Sequence, residues 1–144
     1  MKTIETRFGQ VTYDPKQVIR FPEGLIGFEQ VRDFVVIPQE QSSALFCIQS
    51  VEESHLAFLF INPALFFPHY RVVPDDAIME KLGIGPQAPY FVLTTITFHS
   101  DDSVTLNLLA PVIYTPETDR AVQVVLDGSG YEAKTPLPGK KASE

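Results

Sequence analysis

Between residues 90 and 98 the chain alternates with a period of two. Tyr90, Val92, Thr94, Ile96 and Phe98 fall on one parity, and Phe91, Leu93, Thr95 and Thr97 on the other. β-branched and aromatic residues in that order suit a pleated surface, so the segment predicts a strand. The polar cluster Ser100-Asp101-Asp102-Ser103 follows, and then Val104, Leu106 and Leu108 alternate with Thr105 and Asn107. The two runs read as a hairpin. Shorter runs predict further strands over 3–8, 10–13, 18–21, 34–37, 44–49, 56–61, 112–115 and 121–126. Helical spacing is confined to 75–82, where Asp75 or Asp76 can cap free N–H groups, Ile78, Met79 and Leu82 form an apolar stripe, and Gly83 ends the element. A second short turn is expected after Pro63. Twelve prolines and eight glycines punctuate the short strands. The pattern predicts an all-β fold, a small antiparallel barrel-like single domain with one short helix. The domain is drawn over residues 1–134, and 135–144, with two prolines, Gly139 and Lys140-Lys141, is expected to be a flexible tail.

The length, 144 residues, agrees with one core. Hydrophobic residues at 44% and charged residues at 20% give the balance of a chain that folds by itself. Residues 1–7 hold no apolar stretch of the signal-peptide kind, and the apolar run 56–61 is too short to span a bilayer. With one cysteine, Cys47, no intrachain disulfide forms. These features predict a cytoplasmic location without a membrane partner, and a monomer is the default.

Charge sharpens the picture of partners. The formal charge is −7, and residues 1–37 balance five basic against five acidic groups. Residues 38–134 carry four basic groups against twelve acidic ones, a difference of −8. Such a field repels phosphate backbones and attracts basic proteins, so direct nucleic-acid binding is disfavoured.

The residues offer little to catalysis. His55, His69 and His99 are scattered without the paired spacing of a metal site, and Cys47 sits in Leu45-Phe46-Cys47-Ile48 as a small buried hydrophobe. Neither a nucleophile elbow nor a phosphate loop is present, and Leu82-Gly83-Ile84-Gly85-Pro86 reads as a helix stop. The pairs Glu52-Glu53, Asp75-Asp76 and Asp101-Asp102 sit where turns and caps need them. No enzyme, cofactor or metal is expected.

The segment from Phe58 to Tyr70 is different. A strand ends at Asn62-Pro63, yet Leu65, Phe66, Phe67 and Tyr70 continue the apolar content inside a proline-bracketed connection where a plain loop would be polar. These side chains either fold back as a lid on the core or form a patch that a partner covers. Gly24 and Gly27 flank Leu25-Ile26 in a tight connection that calls for positive φ, with Phe21 and Phe28 bracketing it. Asn107 and Gln123 lie opposite the apolar positions of their strands, either pointing outward or satisfying backbone groups at a seam.

The ordered set Phe21-Pro22-Glu23-Gly24-Leu25-Ile26-Gly27-Phe28-Glu29, Ile48-Gln49-Ser50, Phe60-Ile61-Asn62-Pro63 with Tyr70, and Asn107-Leu108-Leu109-Ala110-Pro111 with Gln123 resembles the FliW family of bacterial flagellar assembly factors. The resemblance runs from about Phe8 to Gln123. It implies a barrel-like β fold that binds flagellin and, once flagellin is exported, binds the RNA-binding translational regulator CsrA and lifts repression of flagellin translation. Asn62, Pro63, Phe66, Phe67, Tyr70, Asn107 and Pro111 are the candidate partner-binding residues. A second reading has a small β barrel holding an apolar ligand or a sugar, with Phe58, Phe60, Tyr90 and Phe91 at its mouth.

Overall fold

The computed structural model describes residues 1–6, 9–38 and 44–138. Among the described residues there are eleven strands: β1 Lys2–Thr6, β2 Gly9–Tyr13, β3 Ile19–Arg20, β4 Asp33–Pro38, β5 Leu45–Ser50, β6 Ala57–Ile61, β7 Phe91–Phe98, β8 Val104–Leu106, β9 Val112–Thr115, β10 Arg120–Gln123 and β11 Thr135–Pro136. One α-helix, α1 Asp76–Leu82, and two single 3-10 turns, Pro15–Gln17 and Pro63–Leu65, complete the list. The fold is all-β with one short helix, as the periodicity predicts.

β1 and β2 form a hairpin of their own. The other strands run in the order β11-β8-β7-β6-β5-β4-β3-β10-β9, and a further pairing of β7 with β9 closes β3, β4, β5, β6, β7, β9 and β10 into a ring. The neighbours pair antiparallel with one exception. β3 and β10 run parallel, in register at Arg20 and Arg120. They are far apart in sequence, so no hairpin forces opposite directions.

Two cores result. Phe34, Ile48, Phe60, Val112 and Ala121, from β4, β5, β6, β9 and β10, cluster with Phe21 and Leu25 of the connection after β3 and with partly buried Leu93 of β7, and so fill the inside of the ring. Ile61, Ile96, Ile113 and Val122 have the opposite parity and meet Tyr70, Val72, Leu82, Leu106 and Leu108 outside the ring. The wall made by β6, β7, β9 and β10 is thus covered on both faces over its middle, which is why β6 reads AFLFI and β9 VIYT with little polar alternation. α1 covers the outer core with Leu82. Asp75 Oδ1 accepts from the Ile78 N–H at 2.8 Å, and Gly83 ends the helix at φ +73°. The helix and both of its caps lie where the sequence predicts them.

Several boundaries shift. β1 is described as far as Thr6, and residues 7 and 8 of the expected strand lie outside the described residues; β8 and β10 stop at Leu106 and Gln123 because the chain turns there to carry Asn107-Leu108 and Val124-Leu126 over the outer core. The sheet also runs past Lys134. Thr135 and Pro136 pair with Leu106 and Thr105, and Leu137 packs against the outer core, so residues 135–138 are part of the fold rather than of the expected tail. Residues 139–144 lie outside the described residues.

Candidate partner-binding site

The candidate residues separate into scaffold and surface. Tyr70 is buried in the outer core, where its hydroxyl donates to the Leu108 carbonyl at 2.7 Å and its ring meets Tyr131 edge-on at 4.8 Å. Burial and the neighbouring Tyr131 push the Tyr70 phenol well above its usual range. Pro63 and Pro111 are fully buried. Asn107 Oδ1 accepts from the Ala110 N–H at 3.0 Å, fixing the turn that leads to Pro111. Burial and these internal bonds take Tyr70, Pro63 and Pro111 off the surface and give Asn107 a turn-holding role. Gln123 bridges two connections, accepting from the Ile26 N–H at 2.8 Å and donating to the Ala110 carbonyl at 3.0 Å. Phe66 and Phe67 are half-buried against the outer core, as a lid would be, and Leu65 beside them is 57% exposed. Asn62 caps the 3-10 turn through the Ala64 N–H at 3.0 Å and stays exposed.

Asn62 also reaches the rim of a larger feature. At the end of the ring where β4 leaves and β5 enters, the described residues leave the inside unfilled, and a cavity of about 620 Å³ opens among them. Inward-facing Ile19, Val36, Phe46, Phe60, Phe91 and Tyr114 line it, and no charged side chain does so among the described residues. Val36, Phe46 and Phe91 remain 46%, 40% and 54% exposed. Phe91 stacks on Tyr114 with the ring planes 24° apart, and the Tyr114 hydroxyl donates to Asp119 at 2.7 Å. Burial first, and then Asp119, pushes that phenol up to about 12. A concave, apolar surface with aromatic walls is the kind of place where side chains of a partner are received.

Of the four residues expected at a barrel mouth, Phe60, Tyr90 and Phe91 line it. Phe58 does not. It sits further down the ring, edge-on to Phe28 at 5.3 Å and to Phe34 at 6.0 Å. Val36, Phe46 and Tyr114 were not anticipated from sequence, since each looks like an ordinary inward strand residue until the ring closes and leaves that end open.

Among the described residues no group of three or more His, Cys, Asp or Glu could hold a metal ion, and no helix is long and apolar enough to cross a membrane.

The FliW protein family model matches residues 2–137. The chain belongs to the FliW family. It is 46% identical to flagellar assembly factor FliW 2 of Desulfotalea psychrophila over 100% of this chain and 95% of that protein. It is 51% identical to the FliW of Syntrophotalea carbinolica over 95% and 98% of the two chains, and 34% identical to that of Bacillus subtilis over 95% and 97%. A crystal structure described as the flagellar assembly factor FliW superposes with a TM-score of 0.87 at 29% identity, covering 96% of this chain and 99% of that one. The segments that carry the FliW resemblance therefore sit mostly in the scaffold: Gly24 and Gly27 at their turn, Gln123 bridging to it, and Tyr70, Asn107 and Pro111 under the outer core.

Proposed function

We propose that this FliW-family protein binds flagellin and, when free of it, binds and antagonises the translational regulator CsrA in the cytoplasm, so relieving repression of flagellin translation. The observation that carries the first half is the open apolar mouth of the ring. Flagellin's terminal segments are amphipathic helices that must stay unpolymerised before export, and an apolar stripe of one of them is the occupant whose chemistry matches Val36, Phe46 and Phe91. A small apolar ligand fits less well, because ligand pockets enclose most of the ligand's surface, and this mouth is open enough to leave Val36, Phe46 and Phe91 exposed.

The test is isothermal titration with purified flagellin. Phe46→Ser and Phe91→Ser should each weaken binding by roughly 1–3 kcal/mol with the circular dichroism spectrum unchanged. Unchanged affinity in both would move flagellin to another surface, of which exposed Leu65 beside Asn62 is the next to try.

For CsrA the support is electrostatic. An RNA-binding protein carries basic surface, and Glu52, Glu53, Asp101, Asp102 and Glu117 on separate turns and Asp75 and Asp76 at the start of α1 are exposed. Spread in that way, they act on incoming phosphates as a repelling field from a neighbouring surface rather than as a copy of the RNA backbone. In a titration of labelled RNA against CsrA, the apparent dissociation constant should then reach a plateau as this protein is added. A linear rise without a plateau would mean direct competition.

A further inference from the structure

On the side of the ring where β3 meets β10, a chain of net charge −7 gathers cations. A surface cleft of about 490 Å³ is lined by Arg20 from β3, Lys81 from the last turn of α1 and Arg120 from β10, with Pro22 and Ala77 as apolar walls and Glu80 as the one carboxylate of the lining. Arg20 and Arg120 are the registered partners of the parallel pair. Like charges placed opposite one another on neighbouring strands repel, and on its other side Arg20 is offset by its registered partner Asp33 while Arg120 has no such neighbour among the described residues.

We propose that this cleft binds a phosphate group, free in solution or carried by a small phosphorylated molecule, between Arg20, Lys81 and Arg120. The Arg120 side chain is already held in place. Its Nη1 lies 2.9 Å from where a Cβ on Gly83 would be, so the absence of a side chain there makes its berth. It spends one donor on the Lys81 carbonyl in a long bond of 3.4 Å, and no carboxylate pairs with it among the described residues. The other cations have exchangeable partners. Arg20 meets Asp33 at 3.5 Å and Lys81 meets Glu23 at 3.1 Å, and all four of these side chains are at least 30% exposed. Ion pairs of that kind contribute little and can be replaced by a more highly charged anion. Three cations from three elements suit a multiply charged, three-oxygen group better than a single carboxylate, and guanidinium forks match phosphate oxygens. RNA is a poor occupant because residues 38–134, at −8, repel the rest of its backbone.

The test is an amide chemical-shift titration of the whole protein with inorganic phosphate and, separately, with glycerol phosphate, against acetate at matched ionic strength. Saturable shifts confined to residues 19–23, 77–83 and 118–121 should appear with phosphate and not with acetate. Tighter binding of the ester would assign the ligand to a phosphorylated small molecule that uses Pro22 and Ala77, and equal binding would assign it to the free ion. Arg120→Ala and Arg20→Ala should each weaken binding about tenfold. Arg20→Ala leaves the Lys81 carbonyl bond untouched, which keeps the result readable if loss of Arg120 loosens the helix end. Glu23→Gln should strengthen binding, since Lys81 then has no internal anion to exchange. Shifts that follow ionic strength alone, saturation that survives both arginine variants, or an unchanged affinity in Glu23→Gln would each overturn the proposal.

Discussion

Gly24 sits at φ +68°, and a Cβ added to it would lie 2.6 Å from both the Phe28 carbonyl oxygen and the Glu29 Cα. Those are backbone atoms and have nowhere to swing. Gly27 also has a positive φ, +88°, but nothing lies within 4 Å of its missing side chain. Gly24→Ala should therefore cost about 2–4 kcal/mol, against about 1 kcal/mol for Gly27→Ala, as read from urea unfolding midpoints. Equal costs would mean that the turn rearranges. Tyr70 gives a second test at this scale. Tyr70→Phe removes the donor to the Leu108 carbonyl and should destabilise by about 1–2 kcal/mol without weakening flagellin binding in the folded protein. An affinity loss with full stability would return Tyr70 to the interface.

Among the elements, β3 is the weak stave of the ring. It comprises Ile19–Arg20, meets β4 at two registered residues and β10 at one. β5, by contrast, has five registered residues on each side. Amides of 19–20 should exchange with deuterium well before those of 47–49, because local opening there breaks few contacts. Uniform protection across both strands would contradict this. The sequence made the β7–β8 hairpin legible, since Ser100 to Ser103 break an otherwise unbroken alternation, and the helix was legible from its caps. It made the open mouth legible only in part. Tyr90 and Phe91 announce themselves as aromatics at a strand start, but whether Val36 and Phe46 face a filled or an unfilled lumen depends on the β7–β9 closure, a pairing across about 20 residues of intervening chain that no local pattern encodes. The roles of Asn107 and Gln123 were equally hidden, because an amide that holds a distant backbone group looks in sequence like any polar strand residue.

For the whole molecule, pH should act from both sides. Glu29 accepts from the Gly27 N–H at 3.0 Å, and Asp101 accepts from the Ser103 hydroxyl at 2.6 Å and its N–H at 3.0 Å. Those bonds hold both carboxyls below their usual range, with the Gly27 N–H leading at Glu29 and the Ser103 hydroxyl leading at Asp101. A lowered folded value means that their contribution is present above the unfolded carboxylate range and is lost as pH falls through the folded value. Tyr114 works the other way. Its phenol is raised from 10.0 to about 12, so its contribution is intact below pH 10 and is lost as pH climbs towards 12. Thermal melting followed across pH should show both limbs, and Tyr114→Phe should flatten the alkaline one. A limb unchanged in that variant would place the titrating group elsewhere, with Tyr70 the next in line.

The unfilled mouth has a thermal consequence of its own. Apolar side chains facing water raise the heat capacity of the uncomplexed protein, and whatever covers Val36, Phe46 and Phe91 takes that surface away. Complex formation at the mouth should therefore show a binding enthalpy that grows more negative with each degree of warming, whereas association driven by the acidic turns should show a weak temperature slope and a steep dependence on salt. Calorimetry at several temperatures thus separates the two kinds of partner without a structure of either complex: one reports the wetted apolar end of the ring, the other the charge around it.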